Sequence, residues 1–202
     1  MLEASFERAA HSLAEVRTSH RPLESFPDEA MPGSVEDAYR IQDALVKKLG
    51  GRFVGWKIGC TSKMAQKSTN TDQPFYGRMF AETTHVSPGE VSFGNVFAPI
   101  VEPEIAFRFG KNLKSSSGPF SVEDVCDAID SICPAFEVVD CRYAHGWPIT
   151  LFPTIADNGV HAAFIMGEEL KDWLSIDHPA IKISAEVNGT FATDGVGANA
   201  LE

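Results

Sequence analysis

The segment Val101-Glu102-Pro103-Glu104-Ile105-Ala106-Phe107 sets the strongest constraint on this chain. Two carboxylates stand two residues apart inside an apolar, β-favouring run. On a strand, alternate side chains leave the same face, so Glu102 and Glu104 point together. Like charges held side by side cost free energy unless a proton or a cation neutralises them. Oxygen ligands suit hard cations, Mg2+ first, then Mn2+ or Ca2+. The competing reading is an edge strand with a solvated face, Pro103 marking the edge. Surface strands carry glutamate freely, so this pair alone does not choose between the two.

Two further charged residues occupy apolar surroundings. Ala135-Phe136-Glu137-Val138-Val139-Asp140 reads as a strand, and Glu137 stands between Phe and Val. A carboxylate there needs a partner, and a cation claimed by Glu102 and Glu104 supplies one. Lys57 lies in the strand-like run Arg52 to Gly59. It either snorkels to the edge or faces a site and meets an anion.

The rest of the chain reads as α+β. Leu2, Phe6, Ala9, Leu13 and Val16 recur at helical intervals. Arg21 to Gly33 holds three prolines and reads as a linker. Ser34, with Asp37 three residues on, opens a second helix that Gly50-Gly51 ends. Residues 1–50 are therefore expected to form a helical cover on a β-body of residues 51–202. Thr61 is expected to cap a short helix, Asp72 to Gly77 to form a turn-rich loop, and residues 86–110 to form several short strands. Ser121 caps a third helix with Val122, Val125, Cys126 and Ile129 inward. Residues 141–158 read as one long irregular segment, of the kind that carries function. Strands follow at His161–Met166 and Ile181–Val187, with Asn188-Gly189 as a hairpin turn. His145 and His161 are read as structural.

Composition narrows the function classes. The 202 residues carry a net charge of -11, which argues against nucleic acid or an anionic membrane surface as partner. An anionic substrate then needs a local cation. No run approaches transmembrane length. Four cysteines form no C-x-x-C pair, and Glu3, Glu7 and Glu15 interrupt any apolar leader in residues 1–20, so a reduced, cytoplasmic protein is expected. There is no Walker or Rossmann glycine pattern and no G-x-S-x-G elbow.

Five stretches in register resemble the hydratase/decarboxylase branch of the fumarylacetoacetate hydrolase superfamily, the 2-oxopent-4-enoate hydratases and 4-oxalocrotonate decarboxylases. They are Gly55-Trp56-Lys57-Ile58-Gly59 with Thr61-Ser62-Lys63; Asp72-Gln73-Pro74 with Tyr76-Gly77; Glu102 to Phe107; Pro134 to Asp140; and Ala156-Asp157-Asn158. The resemblance implies a twisted mixed β-roll with helices outside. It implies Mg2+ or Mn2+ held by Glu102, Glu104 and Glu137, and a small 2-oxo acid from aromatic meta-cleavage as substrate. Lys57 and Asp72 would be catalytic, and Ile58, Gln73, Asp157 and Asn158 would bind substrate. The expected reaction is hydration of a 2-hydroxy-2,4-dienoate through its 2-oxo tautomer. The rivals are 4-oxalocrotonate-type decarboxylation, acylpyruvate hydrolysis, for which no Glu–His pair stands out, and an inactive homologue. Family members continue past the counterpart of Leu201. A roll without the family's C-terminal strands is therefore expected, and its open edge suits a homo-oligomer.

Overall fold

The computed structural model describes residues 3–26, 28–114 and 118–200. Leu2 of the first helical pattern, Pro27 of the linker, and Leu201 lie outside them. Helix α1 spans Glu3–Ser19 and buries Phe6, Ala9, Ala10, Leu13 and Val16, the stripe its spacing prescribes. Helix α2 spans Val35–Leu49 and starts where the Ser34 hydroxyl accepts from the Asp37 amide at 3.1 Å. It stops at Gly50, whose φ of 64° few other residues adopt cheaply.

Strands β1 (Phe53–Gly59) and β2 (Phe75–Phe80) form an antiparallel pair in which Lys57 faces Gly77. A four-stranded sheet follows, built from β3 (Thr84–Val86), β4 (Pro99–Phe109), β5 (Ile129–Asp140) and β6 (His161–Met166). Its spatial order is β3-β6-β5-β4; β3 and β6 run parallel and the other pairs antiparallel. The last pair, β7 (Lys182–Val187) and β8 (Thr190–Val196), is the expected hairpin, with Asn188 at φ 54° and Gly189 at φ 75°. Two positive φ values in succession define a primed turn that matches the twist of its strands. The α+β class with mixed sheets is thus as expected.

Four local expectations need correction. The short helix α3 spans Lys63–Thr69, and its cap is Ser62, not Thr61: the Ser62 hydroxyl accepts from Ala65 at 3.2 Å. Phe75-Tyr76-Gly77 is strand, not turn. Gly77 is there because the carbonyl of Asn158 fills the space of a side chain, 2.5 Å from where a Cβ would stand. Residues 141–158 are not wholly irregular, since helix α5 occupies Leu151–Ala156. Pro153 masks it in the sequence, yet proline in a first turn forfeits no intrahelical bond. Helix α4 (Val122–Ala128) has the capping box of Ser121 and Asp124, but Val122 is 81% exposed rather than inward.

Both N-terminal helices share one apolar core with the β-body. Phe6, Leu13, Ile41 and Leu45 cluster with Phe75, Cys141, Tyr143, Ile155 and Ala156. A fully buried leucine replaced by alanine loses about 2–5 kcal/mol. Leu13→Ala is therefore expected to lower stability by about that amount in one cooperative urea transition followed by both circular dichroism and tryptophan fluorescence. A separate early loss of helix signal would show that residues 3–50 unfold alone.

Candidate metal centre

Antiparallel pairing of β4 with β5 sets Glu102 directly opposite Glu137 and Glu104 opposite Ala135. Directly opposed residues share a sheet face, and so do residues two apart on one strand. The three glutamates therefore converge, and one carboxylate oxygen from each lies within 4.8 Å of the others.

Two more elements close on this group. Lys57 of β1, only 5% exposed, brings Nζ to 3.1 Å from Glu137 Oε2. His161, the first residue of β6, brings Nδ1 to 2.8 Å from Glu137 Oε1, while its Nε2 faces the Thr83 hydroxyl at 3.2 Å. The Lys57 stem runs in a slot between two glycines. A Cβ at Gly77 would stand 3.3 Å from Lys57 Cγ, and one at Gly159 would stand 2.8 Å from Lys57 Cε. Side chains at either position would push the ammonium off its partner.

The electrostatics follow from burial and crowding. Burial, reinforced by the Glu137 charge, pushes the Glu104 carboxyl up to about 7; Lys57 opposes the rise. Glu102 is also raised, first by burial and also by Glu137, against Lys57. Glu137 is buried too, yet its hydrogen bond from His161 and the Lys57 charge hold it below the usual carboxylate range. Burial keeps His161 below its ordinary value despite Glu137, so the neutral imidazole donates through Nδ1. One ammonium thus faces three carboxylates, and the shortfall falls on Glu102 and Glu104.

A divalent cation fits this shortfall. Glu137 Oε2 is sealed from solvent with the Lys57 ammonium beside it, and the donor set is all oxygen, as hard cations require. Among the described residues this is the one cluster of acidic, histidine or cysteine groups spaced to hold an ion.

The other expected site residues stand outside the three-glutamate cluster itself. Asp72 and Gln73 lie in the exposed turn between α3 and β2, where the Gln73 amide donates to the Thr71 hydroxyl at 3.3 Å. Ile58 leaves β1 on the face opposite Lys57 and is 48% exposed. The Asp157 carboxylate is fully buried between Arg17 (2.6 Å) and Arg142 (3.0 Å). Burial and the neighbouring Arg142 pull the Arg17 guanidinium down to about 10, against the pull of Asp157, and it remains a cation at neutral pH. The Asn158 amide accepts from the Arg78 amide at 2.7 Å and donates to the Arg78 carbonyl at 2.8 Å. Both side chains are committed to the scaffold.

His161, read in the sequence as structural, stands in contact with the glutamate cluster. With Glu137 it forms a Glu–His pair invisible in the linear sequence, because a register irregularity at Val138/Val139 swings His161 toward Glu137. Both side chains are buried, and the outer imidazole nitrogen faces Thr83, so the pair does not present a base to water.

Asn158, Gly159 and Val160 have φ values of 57°, 61° and 57°. A β-branched residue in that region is an outlier, and each non-glycine placed there costs about 1–2 kcal/mol. The left-handed turn is what brings the backbone onto the Lys57 stem.

Comparison with known proteins gives the fold and the family. No family model matches the chain. The solved structure of 4-oxalocrotonate decarboxylase from Pseudomonas putida G7, complexed with magnesium and adipate, superposes with a TM-score of 0.89 at 24% identity, over 100% of this chain and 76% of that one. The fold is therefore that of this decarboxylase. Among curated sequences, the 2-hydroxyhexa-2,4-dienoate hydratase of Comamonas testosteroni is 34% identical over 95% of this chain and 73% of its own length. The 2-keto-4-pentenoate hydratase of Paraburkholderia xenovorans is 30% identical over 96% and 72%. The TodF product hydratase of Pseudomonas putida F1 is 34% identical over 83% of this chain, which spans 62% of that relative. The chain belongs to the 2-keto-4-pentenoate hydratase family.

The raised Glu104 has a measurable consequence. An acid whose folded value lies near 7, above the ordinary 4.5, favours the folded state while protonated. That stability is present in full below pH 4.5 and is lost as pH rises through about 7. The metal-free protein should melt at progressively lower temperature over this window, and Mg2+ should abolish the loss at the upper end. An identical pH profile with and without Mg2+ would contradict a cation site that includes Glu104.

Proposed function

We propose that the protein is a divalent-cation-dependent hydro-lyase that adds water to a 2-hydroxy-2,4-dienoate. The observation that carries the reading is the buried ion pair of Lys57 with Glu137 at the edge of a three-glutamate cluster. Family membership supports the reaction class, and the decarboxylase fold seen with magnesium supports the cation. Glu102, Glu104 and Glu137 would hold Mg2+ or Mn2+. When bound, the ion supplies Lewis acidity toward the carboxylate and 2-oxo oxygens of the substrate and reverses the sign of an acidic site.

The chain's own groups then account for the proton movements. The dienol loses its 2-hydroxyl proton and gains one at C5, giving a 2-oxo-3-enoate. Water adds its oxygen to C4 and a proton to C3. Negative charge grows on the 2-oxo oxygen in both steps, and the Lys57 ammonium, dry and held by its glycine slot, stabilises it without reorganising. Lys57 is also placed in the scheme as the proton carrier, with Glu137 and neutral His161 holding its charge in position. Asp72 and Gln73 on the turn before β2 serve as the outer groups that orient water toward the distal carbons. We place the sheets in the family's β-roll, with the substrate over the glutamate face. Asp157 and Asn158 contribute by shaping the turn beside Lys57 rather than by touching substrate.

The test is an ultraviolet assay. The absorbance of 2-hydroxypenta-2,4-dienoate should fall on addition of the protein with Mg2+ or Mn2+, without CO2, and EDTA should stop it. Glu137→Gln and Lys57→Met should each lower kcat by about 10²-fold or more. The decarboxylase fold favours one second reading, release of CO2 from 4-oxalocrotonate, and CO2 evolution with no dienoate hydration would select it. Full activity in EDTA, or unchanged kinetics in Glu137→Gln, would sink the metal-dependent reading.

A further inference from the structure

The turn that leads from Asp157 to His161 is held from both ends by one buried side chain. Arg142, 5% exposed, donates through Nη1 to Asp157 Oδ2 at 3.0 Å and through Nη2 to the His161 carbonyl at 2.8 Å. Between those two anchors lie Asn158, Gly159 and Val160, all at positive φ. A strained segment persists only where its surroundings over-determine it. Here the Asn158 amide fixes one flank to the Arg78 backbone, and the Arg142 fork spans the whole turn. The middle of the turn, Gly159, lies on the Lys57 stem, and its far end is His161, which donates to Glu137.

We infer that Arg142 is a positioning residue: its fork clasps the left-handed turn and thereby sets Lys57 and His161 against Glu137. Its partner Asp157 is shared with Arg17 of α1, but Arg17 makes no bond to His161; its other contacts are the carbonyls of Leu13 and Asp157. The two arginines therefore separate the structural task of neutralising Asp157 from the task of holding the turn closed. A lysine at 142 keeps a cation for Asp157 but has no planar fork to reach the His161 carbonyl at the same time. A lysine at 17 keeps a cation for Asp157, and Arg17 has no bond at the His161 end of the turn to lose.

The inference rests on the lyase reading only for its kinetic arm. In full-length protein labelled with 15N-histidine, the His161 Nδ1 proton donated to Glu137 should give a downfield, slowly exchanging resonance. Arg142→Lys should shift or broaden it and lower kcat about tenfold with KM for the dienoate within about twofold, while Arg17→Lys leaves both unchanged. A wild-type resonance and wild-type kcat in Arg142→Lys, or equal effects in the two lysine variants, would overturn the inference. If Arg142→Lys does not fold, Gly159→Ala replaces it. That variant leaves the Arg142 side chain unaltered but sets a Cβ against Lys57 Cε. It should shift the Lys57 side-chain signals in 13C,15N-lysine-labelled protein, and unchanged signals would count against the turn as the positioning element. A wild-type protein that hydrates no dienoate sinks the lyase reading, and the histidine and lysine resonances still decide the role of Arg142.

Discussion

Three carboxylates gathered on one sheet face, with a single ammonium beside them, govern the organisation of this molecule. Crowding like charges in a dry site is unfavourable, and a fold can retain it only with protons, cations or both. Here both remedies are visible. Lys57 and His161 keep Glu137 ionised, and Glu104 retains a proton near neutrality. The arrangement is useful only if it is rigid, since about an ångström of slack dissipates the advantage of preorganised charge.

Rigidity comes from where the residues are mounted. Glu102, Glu104 and Glu137 stand on two paired strands whose register carries from Pro99 to Arg108 without irregularity. Lys57 stands on a separate two-stranded pair and reaches the cluster along a slot that two glycines keep open. The Asp157–His161 turn joins these parts. Its carboxylate end is tied to α1 through Arg17, and its other end begins β6. The N-terminal helices are thus linked to the glutamate cluster by apolar packing and by a buried ion pair.

Much of this was legible in the chain. Glu102-Pro103-Glu104 and the isolated Glu137 announced themselves because charge in an apolar strand demands a partner. Ser34 with Asp37, and Asn188-Gly189, announced a helix start and a hairpin because their chemistry is local. What escaped reading was non-local. Arg17 meets Asp157 across 140 residues, and no spacing rule connects them. His161 reaches Glu137 through a slip in register, which alternation cannot foresee. Gly77 looked like a turn residue, whereas its missing side chain makes room for the Asn158 carbonyl. Pro153 hid a helix because its place in the first turn is decided by what precedes it.

The most direct test of the central claim is crystallographic. Crystals soaked with Mn2+ and oxalate should show one strong anomalous peak enclosed by Glu102, Glu104 and Glu137 with oxalate against it, and Glu137→Gln crystals treated alike should lack it. Wild-type crystals with the three glutamates splayed apart and no peak among them would contradict the account.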